Sequence, residues 1–181
     1  LETFIREAHA QRAVWILTPE FATVGYPDTP NGNYRNKEDI RPYAETIPGP
    51  STRHFSNLAR ELGIYLHIGL PEMAEPGRYF NTVVVLNPDG KIIAKHRKMN
   101  LFTGDGDYLE SGTQITTYSA PWGKTGVIIC ADVYGSGIME KYRKEEVRAV
   151  GMSASWAMSN SGMGFFQRGA AAAQAYMAAS N

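Results

Sequence analysis

Short, bulky runs that proline, glycine or a charged residue closes abruptly do most to restrict how this chain can fold. Val14-Trp15-Ile16-Leu17 ends at Thr18-Pro19, and Tyr65-Leu66-His67-Ile68-Gly69-Leu70 leads towards a turn through Glu75-Pro76-Gly77. Tyr79 to Leu86 and Lys91 to His96 flank Asn87-Pro88-Asp89-Gly90, and Val127-Ile128-Ile129-Cys130 ends at Ala131-Asp132. Runs of this length, rich in branched and aromatic residues and bounded by turn formers, read as buried strands, and so does Ala149 to Ala154. The turn chemistry between the runs before and after Asn87 predicts a hairpin.

Between the runs lie helix patterns. Leu1, Phe4, Ile5 and Ala8 recur at helical spacing. Pro48-Gly49-Pro50-Ser51-Thr52 opens a helix over Phe55, Leu58, Ala59 and Leu62 that Gly63 closes. A third helix is expected near Gly137 to Val147, and the dense alanines predict a last one over Phe165 to Met177. The order is helix, strand, helix and three strands, then strand, helix, strand, helix. Sheet layers covered by helices bury such an order economically. Gly25 to Pro50 is too polar for a core and too long for an ordinary connection, and reads as a surface excursion near a site.

The 181 residues suit one domain, residues 1–181. Eighteen basic residues balance eighteen acidic ones, which argues against nucleic acid and anionic membranes as partners. No apolar stretch approaches the roughly 18 residues of a membrane span. The first residues form an amphipathic helix pattern rather than a basic segment before an apolar core. The single cysteine, Cys130, cannot form an internal disulfide, so a cytoplasmic location is expected.

Polar residues close three of the strands where apolar ones would be ordinary. Glu20 follows the first strand, fixed by Pro19; Lys98 ends the cationic stretch Lys95-His96-Arg97-Lys98; Cys130 ends the third. Ligands bind at the carboxyl ends of strands in open sheets, so a carboxylate, an ammonium and a thiol could converge there. The carboxylate could take the thiol proton, the thiolate could attack a carbonyl or nitrile carbon, and the ammonium beside the Ala131 N–H could stabilise the oxyanion. This scheme calls for no metal and no cofactor. Taken singly, each residue has an ordinary structural explanation: a thiol beside valine and isoleucine packs, Glu20 caps a helix, Lys98 is solvated, His96 faces solvent or makes a core hydrogen bond, and Trp156 packs.

Taken together, the segments resemble the nitrilase superfamily, the carbon-nitrogen hydrolases with a Glu-Lys-Cys triad. Thr18-Pro19-Glu20-Phe21-Ala22-Thr23-Val24-Gly25-Tyr26 is similar to the family's Pro-Glu segment, Lys95 to Phe102 to its lysine segment, and Gly126 to Asp132 to its nucleophile segment. Asn81, Asp89-Gly90, Ser155-Trp156, Arg168 and Gln174 add matches in the family's order. The resemblance implies Glu20 as general base, Lys98 as catalytic lysine, Cys130 as nucleophile, and the backbone of Ala131 in the oxyanion hole. Tyr26 and Trp156 are candidate substrate-binding residues. Counting back from Gly112 puts Asp105 nearest the place of a second family glutamate, with Asp107 and Glu110 close by. Ala131 stands where many members carry an aromatic residue, Val133-Tyr134-Gly135-Ser136-Gly137 replaces an Arg-Phe-Pro-Glu-like stretch, and Asn100 replaces a frequent histidine.

The fold implied is a four-layer α-β-β-α sandwich. A strand before the first helix and strands beyond Ala178-Ala179-Ser180-Asn181 would be missing, either because both ends are absent or because another chain completes the sheets. The activity implied is hydrolysis of a non-peptide carbon-nitrogen bond through a thioester on Cys130, with an amide substrate preferred to a nitrile. The alternatives are a nitrilase or cyanide-converting enzyme and a non-catalytic assembly or regulatory module. Homo-oligomerisation is expected by analogy alone.

Overall fold

The structure is a computed structural model that describes residues 1–26, 34–134, 137–156 and 161–181. The elements, in chain order, are α1 (Glu2–Ala10), β1 (Trp15–Leu17), α2 (Lys37–Ile40), α3 (Pro50–Leu62), β2 (Tyr65–Glu75), β3 (Arg78–Leu86) and β4 (Ile92–Arg97). They continue with β5 (Thr116–Ala120), β6 (Gly123–Ile129), α4 (Ile138–Lys144), β7 (Ala149–Ser153), α5 (Ser161–Ala173) and β8 (Tyr176–Ser180).

Two four-stranded sheets result, one in the order β1-β2-β3-β4 and the other β5-β6-β7-β8. In the first, β1 runs parallel to β2, and β2, β3 and β4 are antiparallel neighbours. In the second, β5 is antiparallel to β6, and β6, β7 and β8 run parallel. Strand alternation sorts the first sheet's side chains. Leu66, Ile68, Leu70, Val84 and Leu86 pack with Ile5, Phe55 and Leu58 of α1 and α3, while Val83 and Val85 join Val127, Ile129, Met152 and the residues of α4 in the other core. The layers are therefore helix, sheet, sheet, helix, as the resemblance implied.

The local chemistry explains the elements the sequence announces. Gly63 ends α3 at φ +66, a left-handed conformation suited to glycine, and its N–H caps Ala59. The hairpin turn is held by the Asn87 side chain, which accepts from the N–H groups of Asp89 and Lys91.

Several elements differ from the sequence reading, among them β6, which starts at Gly123 instead of Val127. β2 runs on through Glu75, past the expected end at Leu70. β5 was not anticipated: Tyr118 is its one buried residue, so the strand shows little apolar signal, and its pairing with β6 defines it. The last helix ends at Ala173 instead of Met177. Gln174 turns at φ +52, and Tyr176 to Ser180 pair in register with Ala149 to Ser153. Alanine favours helix locally, but a strand edge on β7 offers these residues ladder bonds that local propensity does not weigh. The Gly25 to Pro50 excursion contains α2, and its residues 27–33 lie outside the described residues.

Candidate active site

Three chain crossings bring the predicted residues together at one end of the sheet pair. Glu20 follows β1, and its own N–H donates to the carbonyl of Ala154 beyond β7, which ties this turn to the opposite sheet. The turn lies against β2 at Gly69, where a Cβ would come within 2.4 Å of the Pro19 carbonyl oxygen and 3.3 Å of the Glu20 Cα. No other residue leaves room for that approach. Lys98 directly follows β4, its N–H donating to Asn81 O at 2.8 Å. Cys130 follows β6 as the first residue of a 3₁₀ turn over Cys130–Tyr134.

The side chains meet in a dry interior. Glu20, Lys98 and Asp105 are at most 3% exposed, and Cys130 is 7% exposed. The Lys98 ammonium donates to Glu20 Oε1 at 2.8 Å and to Asp105 Oδ2 at 2.9 Å. Asn81 Nδ2 donates to the same Glu20 oxygen at 2.6 Å, so Asn81 holds the carboxylate with its side chain and the lysine backbone with its carbonyl. Asp105 is held in turn by the Tyr108 hydroxyl at 3.0 Å and the Phe102 N–H at 3.0 Å. The Tyr108 phenol is itself pushed up by burial and the neighbouring Asp105 charge, so it stays a donor.

The cluster holds two carboxylates against one ammonium. Burial alone would favour neutral Lys98, but Glu20 and Asp105 outweigh it and raise the ammonium above its ordinary value. Burial and then the Glu20 charge push the Cys130 thiol up to about 12, against the pull of Lys98 and the Ser155 N–H. Burial and the neighbouring carboxylate thus disfavour a preformed thiolate at Cys130. The arrangement can move a proton from sulfur to carboxylate when an electrophilic carbon arrives.

Two of the five described non-glycine residues with positive φ lie here. Phe21, next to Glu20, has φ +53, and Cys130 itself has φ +44. Such conformations cost about 1–3 kcal/mol in residues other than glycine and survive where surrounding contacts fix them. Phe21 is fully buried among Tyr34, Tyr79 and Tyr108, which supplies that fixation.

The other predicted residues lie around this cluster. Ala131 is buried, and its carbonyl accepts from Asn100 Nδ2 at 3.4 Å. Tyr26 is half-buried with its ring 5.1 Å from that of Phe21, and burial, then Glu20 and Asp105, raise its phenol. Trp156 is half-buried against the inter-sheet core, and its backbone N–H is bonded to Asn181 Oδ1 at 2.5 Å. Tyr134 is exposed beside Phe165, with ring centroids 4.3 Å apart, while Gly135 and Ser136 lie outside the described residues. Of the other carboxylates near the expected second position, Glu110 pairs with Arg78 at 2.8 Å and is drawn away from the cluster.

The sequence reading left His96 with an ordinary role and gave Asp132 none. Both are fully buried, and His96 Nε2 lies 3.0 Å from Asp132 Oδ2. Asp132 sits two residues past the cysteine, but a partner 36 residues away leaves no local signal. Among the described residues, no group of three or more His, Cys, Asp or Glu side chains is arranged to hold a metal ion, and no helix is long and apolar enough to cross a membrane.

The chain as a whole is similar to known proteins in sequence and in fold. The family model described as carbon-nitrogen hydrolase matches residues 1–181. The omega-amidase NIT2 of Danio rerio is 33% identical over 153 residues, covering 80% of this chain and 52% of its own length. The Homo sapiens omega-amidase NIT2 is 34% identical over 149 residues, covering 77% and 51%. The chain therefore spans about half the length of the curated relatives it matches. Among solved structures, Saccharomyces cerevisiae Nit3, a member of branch 10 of the nitrilase superfamily, superposes with a TM-score of 0.80 at 25% identity, over 99% of this chain and 66% of that one. The NitN amidase from Nesterenkonia sp. AN1 gives 0.81 at 18% identity, over 99% and 69%, a likeness of fold.

Proposed function

The chain belongs to the carbon-nitrogen hydrolase family, and on that premise we propose that it serves an amidase whose nucleophile is Cys130, general base Glu20 and oxyanion-stabilising cation Lys98. The observation that carries this reading is the buried Lys98 ammonium shared by Glu20 and Asp105 beside the thiol. Two acids on one cation leave a carboxylate able to accept the thiol proton, and the low-dielectric interior strengthens the fixed positive charge.

In this mechanism the Cys130 proton passes to Glu20 as sulfur bonds to the amide carbon. The carbonyl oxygen becomes an oxyanion, stabilised by Lys98 and the Ala131 N–H. Glu20 returns the proton to the departing nitrogen, the carbon-nitrogen bond breaks, and ammonia or an amine leaves behind a thioester. Glu20 then deprotonates a water that attacks the thioester; the carbon-sulfur bond breaks, the acid is released, and the proton returns to sulfur. Asp105 keeps Lys98 pointed into the site, as the second carboxylate of the cluster. The similarity to omega-amidases favours ω-amides as substrates, with Tyr26 and Trp156 at the substrate's side.

A panel of short aliphatic amides, ω-amides, carbamoyl compounds and nitriles tests the reading on the full-length protein. Ammonia release from an ω-amide, its loss in Cys130→Ala, and a covalent adduct of an electrophilic analogue at Cys130 are the expected results. Undiminished turnover by Cys130→Ala would sink the proposal. Faster ammonia release from a nitrile than from its matching amide would instead favour the nitrilase alternative.

A further inference from the structure

Asp132 makes four hydrogen bonds with donors from both sheets. Its Oδ1 accepts from the N–H groups of Met99 at 2.9 Å and Asn100 at 2.8 Å; its Oδ2 accepts from the Ile129 N–H at 3.0 Å and from His96 Nε2 at 3.0 Å. Four donors match the full accepting capacity of a carboxylate, which accounts for a carboxyl group that is 0% exposed. Met99 and Asn100 directly follow Lys98 just past the end of β4 in the first sheet, and Ile129, the last residue of β6 in the second, directly precedes Cys130. One carboxylate therefore fixes the backbone beside the ammonium relative to the backbone beside the thiol.

His96 completes this arrangement from the inward face of β4. Its other ring nitrogen lies 3.2 Å from the Thr116 hydroxyl of β5, so the ring is held on both sides, and it is 0% exposed. Neighbouring Lys95 and Arg97 turn to the other face and bind Glu72. His96 is thus the one cationic-type residue of that stretch, before Lys98, that reaches across the sheets.

We infer that Asp132 and His96 form a positioning pair that sets the separation of Lys98 from Cys130, with His96 acting only through Asp132. The inference rests on the proposed role of Cys130, and it deepens that role by naming what holds the nucleophile and the oxyanion-binding cation in register. An asparagine at 132 would keep one oxygen for Met99 and Asn100 but turn an NH₂ towards the Ile129 N–H, opposing two donors next to the thiol. Glutamine at 96 can still donate to Asp132, and phenylalanine cannot.

The test uses the full-length protein in five forms: unaltered, Asp132→Asn, His96→Gln, His96→Phe, and the double variant Asp132→Asn with His96→Phe. Two readouts are taken well below each variant's unfolding temperature: the rate of Cys130 alkylation by iodoacetamide, which needs no substrate, and kcat and KM for an amide that the panel shows to be hydrolysed. Asp132→Asn and His96→Phe should each lower kcat by about 30-fold with KM within about 3-fold, and each should change the alkylation rate. His96→Gln should stay within about 3-fold of the unaltered protein, and the double variant should fall no more than about 3-fold below Asp132→Asn. If Asp132→Asn does not fold, the contrast between His96→Gln and His96→Phe decides alone. A lowered unfolding temperature with unchanged kcat and alkylation would overturn the inference and leave the pair structural. Multiplying losses in the double variant would overturn the claim that His96 acts through Asp132. Loss of the proposed function shows up separately, as full turnover by Cys130→Ala.

Discussion

Two buried carboxylates, Glu20 and Glu72, each face a lysine, yet the sheet places them on opposite sides of a chemical divide. Glu72, on the outer face of β2, accepts from Lys95 at 2.7 Å, from both ends of the Arg97 guanidinium at 2.7 and 2.8 Å, and from Thr82 at 2.8 Å. Those cations remain partly exposed, Lys95 at 37% and Arg97 at 31%. Burial opposes ionisation of Glu72, but Arg97, Lys95 and Thr82 overcome it and hold the carboxyl down at about 2. Glu20 has the reverse balance, sharing one fully buried ammonium with a second acid and facing a thiol. A carboxylate saturated by excess positive charge has no reason to take a proton. Glu20, which shares a single ammonium with another acid, lacks that saturation, and this is the arrangement that the proposed proton transfer calls for.

The largest expected effects come from removing the groups proposed to react. Cys130→Ala and Glu20→Gln should each lower kcat on an accepted ω-amide by about a thousandfold or more, measured as ammonia release. Lys98→Met should lose activity comparably and also cost about 3–5 kcal/mol in denaturant unfolding, because it leaves Glu20 and Asp105 buried without their cation. Equal stability of Lys98→Met and the unaltered protein would break the contrast between the two clusters.

Asp105→Asn retains the shape but removes one of the two acids, and kcat should fall about 10- to 100-fold with KM little changed. By comparison, Glu72→Gln should leave kcat within about 3-fold while costing about 1–3 kcal/mol of stability through its lost charge-assisted bonds. A large kcat defect in Glu72→Gln would mean that the outer cluster also supports the site.

Acid titration gives the smallest and most selective signal. The Glu72 carboxyl lies lower in the folded state than its ordinary value of 4.5, so its stabilisation is present above that value and is lost as pH falls towards about 2. His67 adds a second contribution of the same sign by another cause. Burial pushes its imidazole from 6.5 down to about 3, so folding keeps it neutral and stability falls as pH drops through that interval. Its Nε2 lies 3.1 Å from the Trp15 indole nitrogen and 2.9 Å from the Tyr118 hydroxyl, with no carboxylate partner among the described residues. Glu72→Gln should flatten unfolding free energy against pH below about 4.5, and His67→Gln should flatten it between about 6.5 and 3.

Much of the candidate site is legible in the chain because its pieces are local signatures: a carboxylate after Pro19, a lysine after a cationic strand end, and a thiol between a strand and a turn. Counting back from Gly112 also pointed to Asp105, whose shorter side chain still reaches Lys98 because a 3₁₀ turn at Asp105–Asp107 brings its backbone close. Less visible was the sorting of Lys95, His96, Arg97 and Lys98, which looks like one solvated patch in sequence. Strand alternation sends Lys95 and Arg97 outward to Glu72 and His96 inward to Asp132, and the end of β4 frees Lys98 for Glu20.

The sequence by itself determined most of the element types, the layered class and a set of candidate residues for the chemistry, since apolar period, turn formers and caps act over a few neighbouring residues. Only the tertiary structure decided which acid meets which cation, that Asp132 joins both sheets, and that the residues after Ala173 form β8 rather than more helix. Those outcomes depend on partners 78 residues apart for Lys98 and Glu20, and 36 for His96 and Asp132. No local propensity encodes such contacts; they exist because burying two sheets against each other places particular side chains in one dry space, where each charge must find a partner.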